Sequence, residues 1–353
     1  MEFKRKSSSI EEQVKKHSQK EVVKNKNEYD GNIGTVISTG STLLDLEISG
    51  ARIRGGGIPG GILVEIFGPS GSGKTVLLCE IGGMVQRAGG DLMFRDPEAR
   101  LNKQFAQMFD LDTSTMKYDC PDTITEVFES VREWEPKTKG MIHGVMTDSL
   151  AALSTEAEME DKDGMGMRRA KEFSQECRKT CRILTKKNFL MVCSNQIRQN
   201  SDAGPYAEKY KSPGGEAIPF YASLRLKTSK GQKIKEKKKI AGKEVTKVVG
   251  VETEIEIYKS SVGRPYGKAP VCILFDYGID DIRTNLQYIK TNTGAAQYVL
   301  DEEPIGKSIQ EAINFIEENE LQKQLKNEVI DLWEEIEKKF KIERKPKIRT
   351  YPI

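Results

Sequence analysis

The sequence predicts an α/β domain built around a mostly parallel central sheet, and three observations carry that prediction. From Thr35 onward, short apolar runs alternate with amphipathic stretches, the pattern of repeated strand–helix units. One of these runs, Leu63-Val64-Glu65-Ile66-Phe67, leads straight into Gly68-Pro69-Ser70-Gly71-Ser72-Gly73-Lys74-Thr75. A helical pattern starts near Lys74, so this glycine-rich segment sits at a strand-to-helix turn.

Taken in order, the strand candidates are Leu63–Phe67, Asp91–Phe94, Gly144–Thr147, Phe189–Ser194 and Leu224–Thr228. Between them, helical periodicity covers Lys74–Arg87, Asn102–Phe109, Thr123–Trp134 and Met167–Lys187. Residues 1–34 are strongly polar and form an N-terminal arm, with one amphipathic helix possible over Ile10–Val23. Residues 35–282 make the core. Residues 283–353 make a small, mainly helical C-terminal region, with helices over Ile309–Glu318 and Leu321–Phe340. Between 227 and 247 stand nine lysines against only Glu236 and Glu244. Strand patterns flank them at Leu224–Lys227 and Thr253–Tyr258, which suggests a hairpin with a long basic tip; a charged, solvated loop is the plainer reading.

Composition excludes several classes. The 353 residues are 37% hydrophobic and 31% charged, which suits a globular protein with a polar surface. No run of 18 apolar residues offers a membrane span, and the charged start, MEFKRKSSSIEEQ, lacks the apolar stretch of a secretory signal. The six cysteines are scattered without a CxxC pair, and His17 and His143 are the sole histidines. That pattern speaks against structural zinc and for reduced thiols in the cytoplasm. A net charge of +3 does not by itself announce a nucleic-acid binder.

The strongest motif is Gly68–Thr75, which fits GxxxxGK[ST]. Glycines at these positions let successive backbone N–H groups turn inward onto phosphate oxygens, and the following helix adds its positive end. Lys74 is placed to neutralise β- and γ-phosphates, and the Thr75 hydroxyl to bind Mg²⁺. Gly144-Val145-Met146-Thr147-Asp148 is an apolar strand ending in a carboxylate, so Asp148 is a candidate to hold Mg²⁺ through water. Alone it reads as a cap; behind a phosphate loop it gains force. The implied chemistry is nucleoside triphosphate hydrolysis, which needs a group to orient water. Phe94-Arg95-Asp96-Pro97-Glu98 offers two, Asp96 and Glu98, at the carboxyl edge of the sheet. Spacing does not choose between them.

Read together, several segments resemble the RecA family of DNA recombinases. Ile37-Ser38-Thr39-Gly40-Ser41 with Leu44-Asp45 is similar to the family's entry segment. Phe94–Ala99 resembles the stretch that carries its catalytic glutamate, which falls on Glu98. Phe105 matches the position of the ring stacked on adenine, which implies ATP with Mg²⁺. Asn195-Gln196-Ile197-Arg198 matches a segment whose glutamine senses the γ-phosphate. Gly214-Gly215-Glu216-Ala217 and Phe220-Tyr221-Ala222-Ser223 resemble the end of the second DNA-binding loop. The likeness spans roughly residues 35–280.

The resemblance implies an ATP-dependent recombinase that forms a helical filament of copies of itself on single-stranded DNA and pairs it with a homologous duplex. Two loops would line the filament axis, at about 156–169 and 198–215. Within them Arg168, Arg169, Arg198, Lys209 and Lys211 are candidates for phosphate contact, beside Gly214 and Gly215. Met165 or Met167 is a candidate wedge between bases, with simple packing a close alternative. The N-terminal arm would dock subunits, although it matches the family poorly. A strand that usually brings two lysines to the neighbour's ATP carries Lys259, then Ser261; Arg264 nearby is a candidate replacement for the missing charge. Asn200 and Ala99 are further departures from the pattern. Two rival readings are a helicase or repair paralogue on the same core, and a regulatory module that uses ATP only as a switch.

Overall fold

The computed structural model describes residues 33–344, except 102, 110, 160–166, 200–209 and 212–215. The chain divides into a first unit, residues 1–34, and a second, compact unit, Thr35–Ile353. The expected arm and its Ile10–Val23 helix lie outside the described residues.

The second unit is organised by one ten-stranded sheet. Its strands are β1 (Ile62–Gly68), β2 (Leu92–Arg95), β3 (Lys117–Asp119), β4 (His143–Thr147) and β5 (Phe189–Gln196). They continue as β6 (Leu224–Thr228), β7 (Gln232–Ile240), β8 (Lys243–Ser260), β9 (Lys268–Leu274) and β10 (Gly278–Ile279). The order across the sheet is β10-β9-β8-β6-β1-β5-β4-β2-β3, with β7 paired to β8 off this path. From β6 to β3 all neighbours are parallel, and from β6 to β10 they are antiparallel. The predicted α/β class with a mostly parallel centre is therefore the observed one.

Parallel strands are covered on both faces, which explains their unbroken apolar character. Every residue of β2 and β4 is buried, and β5 exposes only Gln196. On one face α1 (Lys74–Arg87) packs against β4 and β5. On the other, Leu63, Met93, Val145 and Met191 join Val127, Phe128 and Val131 of α3 (Ile124–Glu133) and Phe173 of α4 (Met167–Lys187) in one cluster. A capping box starts α3: Thr123 Oγ1 accepts from Glu126 N, and the Glu126 carboxylate accepts from Thr123 N. Two shorter helices matter to the site, α2 (Lys103–Gln107) and α5 (Ala217–Tyr221), the latter packed on α4.

After β10 come α6 (Asp281–Thr293), a small hairpin pairing Tyr298–Leu300 with Glu303–Gly306, α7 (Ile309–Glu318) and α8 (Gln322–Lys339). These three helices pack together, and Asp281 accepts hydrogen bonds from Thr42 N and Thr42 Oγ1, both at 2.7 Å.

The lysine-rich stretch differs from the loop that composition suggests. It is a two-stranded ribbon in which β7 pairs with β8 from Gln232↔Glu252 to Ile240↔Lys243, with one register shift between Ile234 and Lys235. Ala241 and Gly242 close it with φ of 48° and 79°, the doubly left-handed geometry of a two-residue hairpin turn. Beyond Gly250 only β7 and β8 pair with each other, so the ribbon leaves the sheet with both faces in solvent.

Candidate active site

The carboxyl ends of β1, β4 and β5 meet at a cleft of about 540 Å³. Its floor is Gly68–Thr75, running from the last residue of β1 to the first turn of α1. Two glycines here are crowded by their neighbours. A Cβ on Gly68 would lie 2.0 Å from Thr228 Oγ1, and one on Gly73 would lie 2.3 Å from Ile273 Cδ1. Gly73 also has φ of 86°, a conformation that disfavours side chains. Ser72 Oγ braces the loop with bonds to Pro69 O at 2.8 Å and Thr228 Oγ1 at 2.7 Å. Ser70 and Gly71 line the opening.

Lys74 folds back over this loop, its Nζ donating to Gly68 O at 3.1 Å and Pro69 O at 2.8 Å. Burial pushes its pKa below the ordinary lysine value, while Asp148 and Glu98 pull the other way. The Thr75 hydroxyl donates to Asp148 Oδ2 at 2.6 Å, and Ser194 Oγ donates to Asp148 Oδ1. Burial raises the pKa of Asp148, against the effect of its two hydroxyl donors. A hydroxyl and a carboxylate are thus held side by side beneath the loop.

The structure also separates the two water-orienting candidates. Asp96 is buried, and its Oδ2 accepts from Leu101 N at 2.8 Å and Tyr118 Oη at 3.0 Å, outside the cleft. Glu98 lines the cleft; its Oε1 accepts from Ser149 Oγ at 2.6 Å and its Oε2 pairs with Arg100 at 2.8 Å. Phe105 on α2 lines the same space, edge-on to Phe109 at 4.9 Å between ring centres. Gln196, at the exposed end of β5, closes the far corner.

Sequence reading missed the opposite wall. Ile273, Leu274, Phe275, Asp276 and Gly278, from β9, the turn after it and the start of β10, line the cleft with the loop, and Arg100 and Ser149 line it with Glu98. Nothing local in the sequence marks the β9 wall, since strand pairing brings it in from about 200 positions away.

A family description for the RecA N-terminal domain matches residues 4–280. Protein RecA of Thermus thermophilus is 35% identical over 251 residues, covering 70% of this chain and 69% of that protein. Protein RecA of Macrococcus caseolyticus is 30% identical over 297 residues, covering 82% and 79%. For Protein RecA of Acidothermus cellulolyticus the figures are 32% over 313 residues, with 87% and 83% covered. The chain belongs to the RecA family. As a RecA-family protein it acts in DNA recombination and repair, through strand exchange.

The residues that the RecA resemblance assigns to neighbours and DNA lie elsewhere. Lys259, near the end of β8, donates from Nζ to Pro219 O at 2.8 Å and Phe220 O at 2.9 Å, away from its own chain's cleft. Arg264 is exposed and pairs with Glu337 of α8 at 2.8 Å. Arg168 is exposed at the start of α4. Arg169 turns inward, donating to Leu150 O at 3.2 Å and Ala151 O at 3.0 Å, with its guanidinium over the Phe173 ring. Arg198 and Lys211 stand opposite one another in a two-residue antiparallel pairing. Met165, Lys209, Gly214 and Gly215 lie outside the described residues, and so does the Met167 side chain. No helix is long and apolar enough to cross a membrane, among the described residues.

Proposed function

We propose that this RecA-family chain is a DNA-dependent ATPase that assembles as a helical filament on single-stranded DNA and exchanges strands with a homologous duplex. The observation that carries the ATPase reading is the Thr75–Asp148 pair set beneath the Lys74 loop. These residues fit a magnesium nucleotide: a glycine-rich strand-to-helix loop with left-handed Gly71 and Gly73, an amine, and a hydroxyl beside a carboxylate. Bound Mg²⁺·ATP would supply the phosphoanhydride whose cleavage times filament turnover. The backbone of Gly68–Gly73 would hold the phosphates, with Ser70, Gly71 and Ser72 turning their N–H groups inward. Lys74 would neutralise charge there, Thr75 would ligate the metal and Asp148 would hold it through water. Phe105 would stack on the base.

Glu98 would take a proton from, or orient, the attacking water, with Ser149 fixing one of its oxygens. Gln196 would read the terminal phosphate. Lys259, and Arg264 once released from Glu337, would approach the nucleotide of the next subunit. Arg168, Arg198, Lys209 and Lys211 would contact DNA phosphates along the filament axis, with Met165 near the bases. The β7–β8 ribbon would attract the incoming duplex by charge. In this reading residues 1–34 dock subunits, 35–282 form the motor and DNA-binding core, 283–353 form a small C-terminal domain, and the protein works in the cytoplasm.

The test is strand exchange followed by fluorescence, with labelled duplex, ATP and a homologous or unrelated single strand, and Lys74→Ala as control. Exchange that requires both homology and Lys74 supports the reading. DNA-stimulated hydrolysis without exchange indicates a motor, and no response to DNA indicates a nucleotide switch.

A further inference from the structure

A carboxylate stands in the middle of β1, a central and almost wholly buried strand of the sheet. Glu65 on β1 has no exposed surface. Its Oε2 accepts from Arg225 Nε at 2.6 Å, and its Oε1 accepts from Asn195 Nδ2 at 2.9 Å. Both partners are buried, one on each adjacent strand: Arg225 on β6 and Asn195 on β5. The Arg225 guanidinium lies over the Phe67 ring at 4.4 Å and the Tyr258 ring at 5.2 Å, which fixes its plane. Stripping two charges of water is costly, and an apolar pair of equal volume would pack as well or better. Packing alone therefore does not account for this triad.

The polar row continues in both directions. Toward the cleft, Asn195 Oδ1 accepts from Gln196 N at 3.0 Å, and Gln196 lines the nucleotide site. Away from it, Arg225 stands in register with Lys259 on β8. Lys259 holds the two carbonyls Pro219 O and Phe220 O of α5, the helix that directly follows the 198–215 segment. Four neighbouring strands, β5, β1, β6 and β8, thus carry adjacent polar residues from the cleft to α5, hydrogen-bonded from Gln196 to Arg225 and joined from Arg225 to Lys259 by strand register.

We infer that Glu65 is a positioning residue: by gripping Asn195 and Arg225 together it ties Gln196 to α5, and so couples the nucleotide site to the segment that enters α5. This inference rests on the proposed ATP and DNA reading of those two regions. Asn195 cannot shift with Gln196 unless its bond to Glu65 gives, and Glu65 cannot move without dragging Arg225. A displacement at the cleft is therefore passed sideways through the sheet instead of being absorbed by soft packing.

The experiment uses the full-length protein. Affinity for a labelled single strand is measured by anisotropy with and without a non-hydrolysable ATP analogue, beside KM for ATP and kcat with DNA. Glu65→Gln keeps the size of the side chain and removes its charge; Asn195→Ala removes the Asn195 side-chain bonds to Glu65 and to Gln196 N and leaves the Glu65–Arg225 pair in place. Each is expected to leave KM for ATP within about twofold and to lose about tenfold of the analogue-driven gain in DNA affinity. The double variant is expected to lose no more than the worse single one, because both cut one line. Full gain in both single variants overturns the inference, as do losses that simply add. If circular dichroism shows Glu65→Gln unfolded, the gain in Asn195→Ala decides: lost in support, retained against. If the unmodified protein shows no analogue-driven gain, the proposed function falls first, and the inference with it.

Discussion

Thr75 and Asp148, 73 positions apart in the chain, share a hydrogen bond of 2.6 Å at the base of the cleft. The first residue belongs to the opening turn of α1, and the second follows the end of β4. Their contact depends on β1 and β4 lying on either side of β5, with β1 running three residues past the end of β4. Thr75→Val preserves the shape and deletes the hydroxyl. It is expected to lower magnesium-dependent ATP hydrolysis on the order of 100-fold, and a magnesium titration of turnover will show the midpoint move to higher concentration.

Glu98 presents a second, separable prediction. Glu98→Gln keeps the Ser149 contact and removes the base. Turnover is expected to fall by roughly 10²–10⁴-fold, with KM for ATP little changed. Asp96→Asn is the contrast, since Asp96 is occupied by Leu101 N and Tyr118 outside the cleft. Steady-state kinetics of the two variants side by side will separate the roles that spacing leaves open.

The basic ribbon yields a salt-dependence prediction. Substituting Lys237, Lys238 and Lys239 together by Gln is expected to weaken duplex capture. The slope of log affinity against log salt should flatten by about 0.9 for each lysine that neutralises a phosphate. Fluorescence titrations at several salt concentrations measure this. Nucleotide hydrolysis without DNA is expected to stay unchanged, because the ribbon lies outside the cleft.

Asp45 makes stability depend on pH. Burial pushes its carboxyl from 3.8 up to about 6, against hydrogen bonds from Ser38 and Thr39 and the nearby Lys326. The folded state thus holds this proton more tightly than the unfolded one. Stability from this group is complete below about pH 4 and is lost as pH rises through about 6, on the order of 3 kcal/mol. Asp281 and Glu47, also raised by burial, add slopes of the same sign. Urea unfolding at pH 4 and pH 7 is expected to show a smaller difference for Asp45→Asn than for the unmodified chain.

Much of the fold was legible because local chemistry and global packing agree. The strand into Gly68, the helix out of Lys74, and α4 over Met167–Lys187 each announce themselves through apolar periodicity, and the structure keeps those bounds closely. Three features were not legible. The ribbon has lysines on both faces, so no alternation marks its strands, and only the ladder between β7 and β8 defines them. Asp96 and Glu98 follow the same strand, and only side-chain direction tells them apart. Glu65 is visible as a charge within an apolar run, but its partners lie 130 and 160 positions away, joined by strand order alone. Phosphate-loop spacing is a local signal, whereas the cleft's second wall and the polar row are properties of the sheet.

The ribbon has a further consequence. Along its outer side β7 pairs with nothing, among the described residues, so its backbone N–H and C=O groups form an open edge that another chain could extend. The lysines that crowd this strand discourage such addition, because two copies laid edge to edge would oppose like charges. Exposed Ile240 and Val248 would otherwise favour that union. Replacing these lysines with apolar residues should therefore produce sticky, self-associating protein before any loss of DNA capture could be read. The same charges that would draw a duplex in also keep copies of the chain from zipping together.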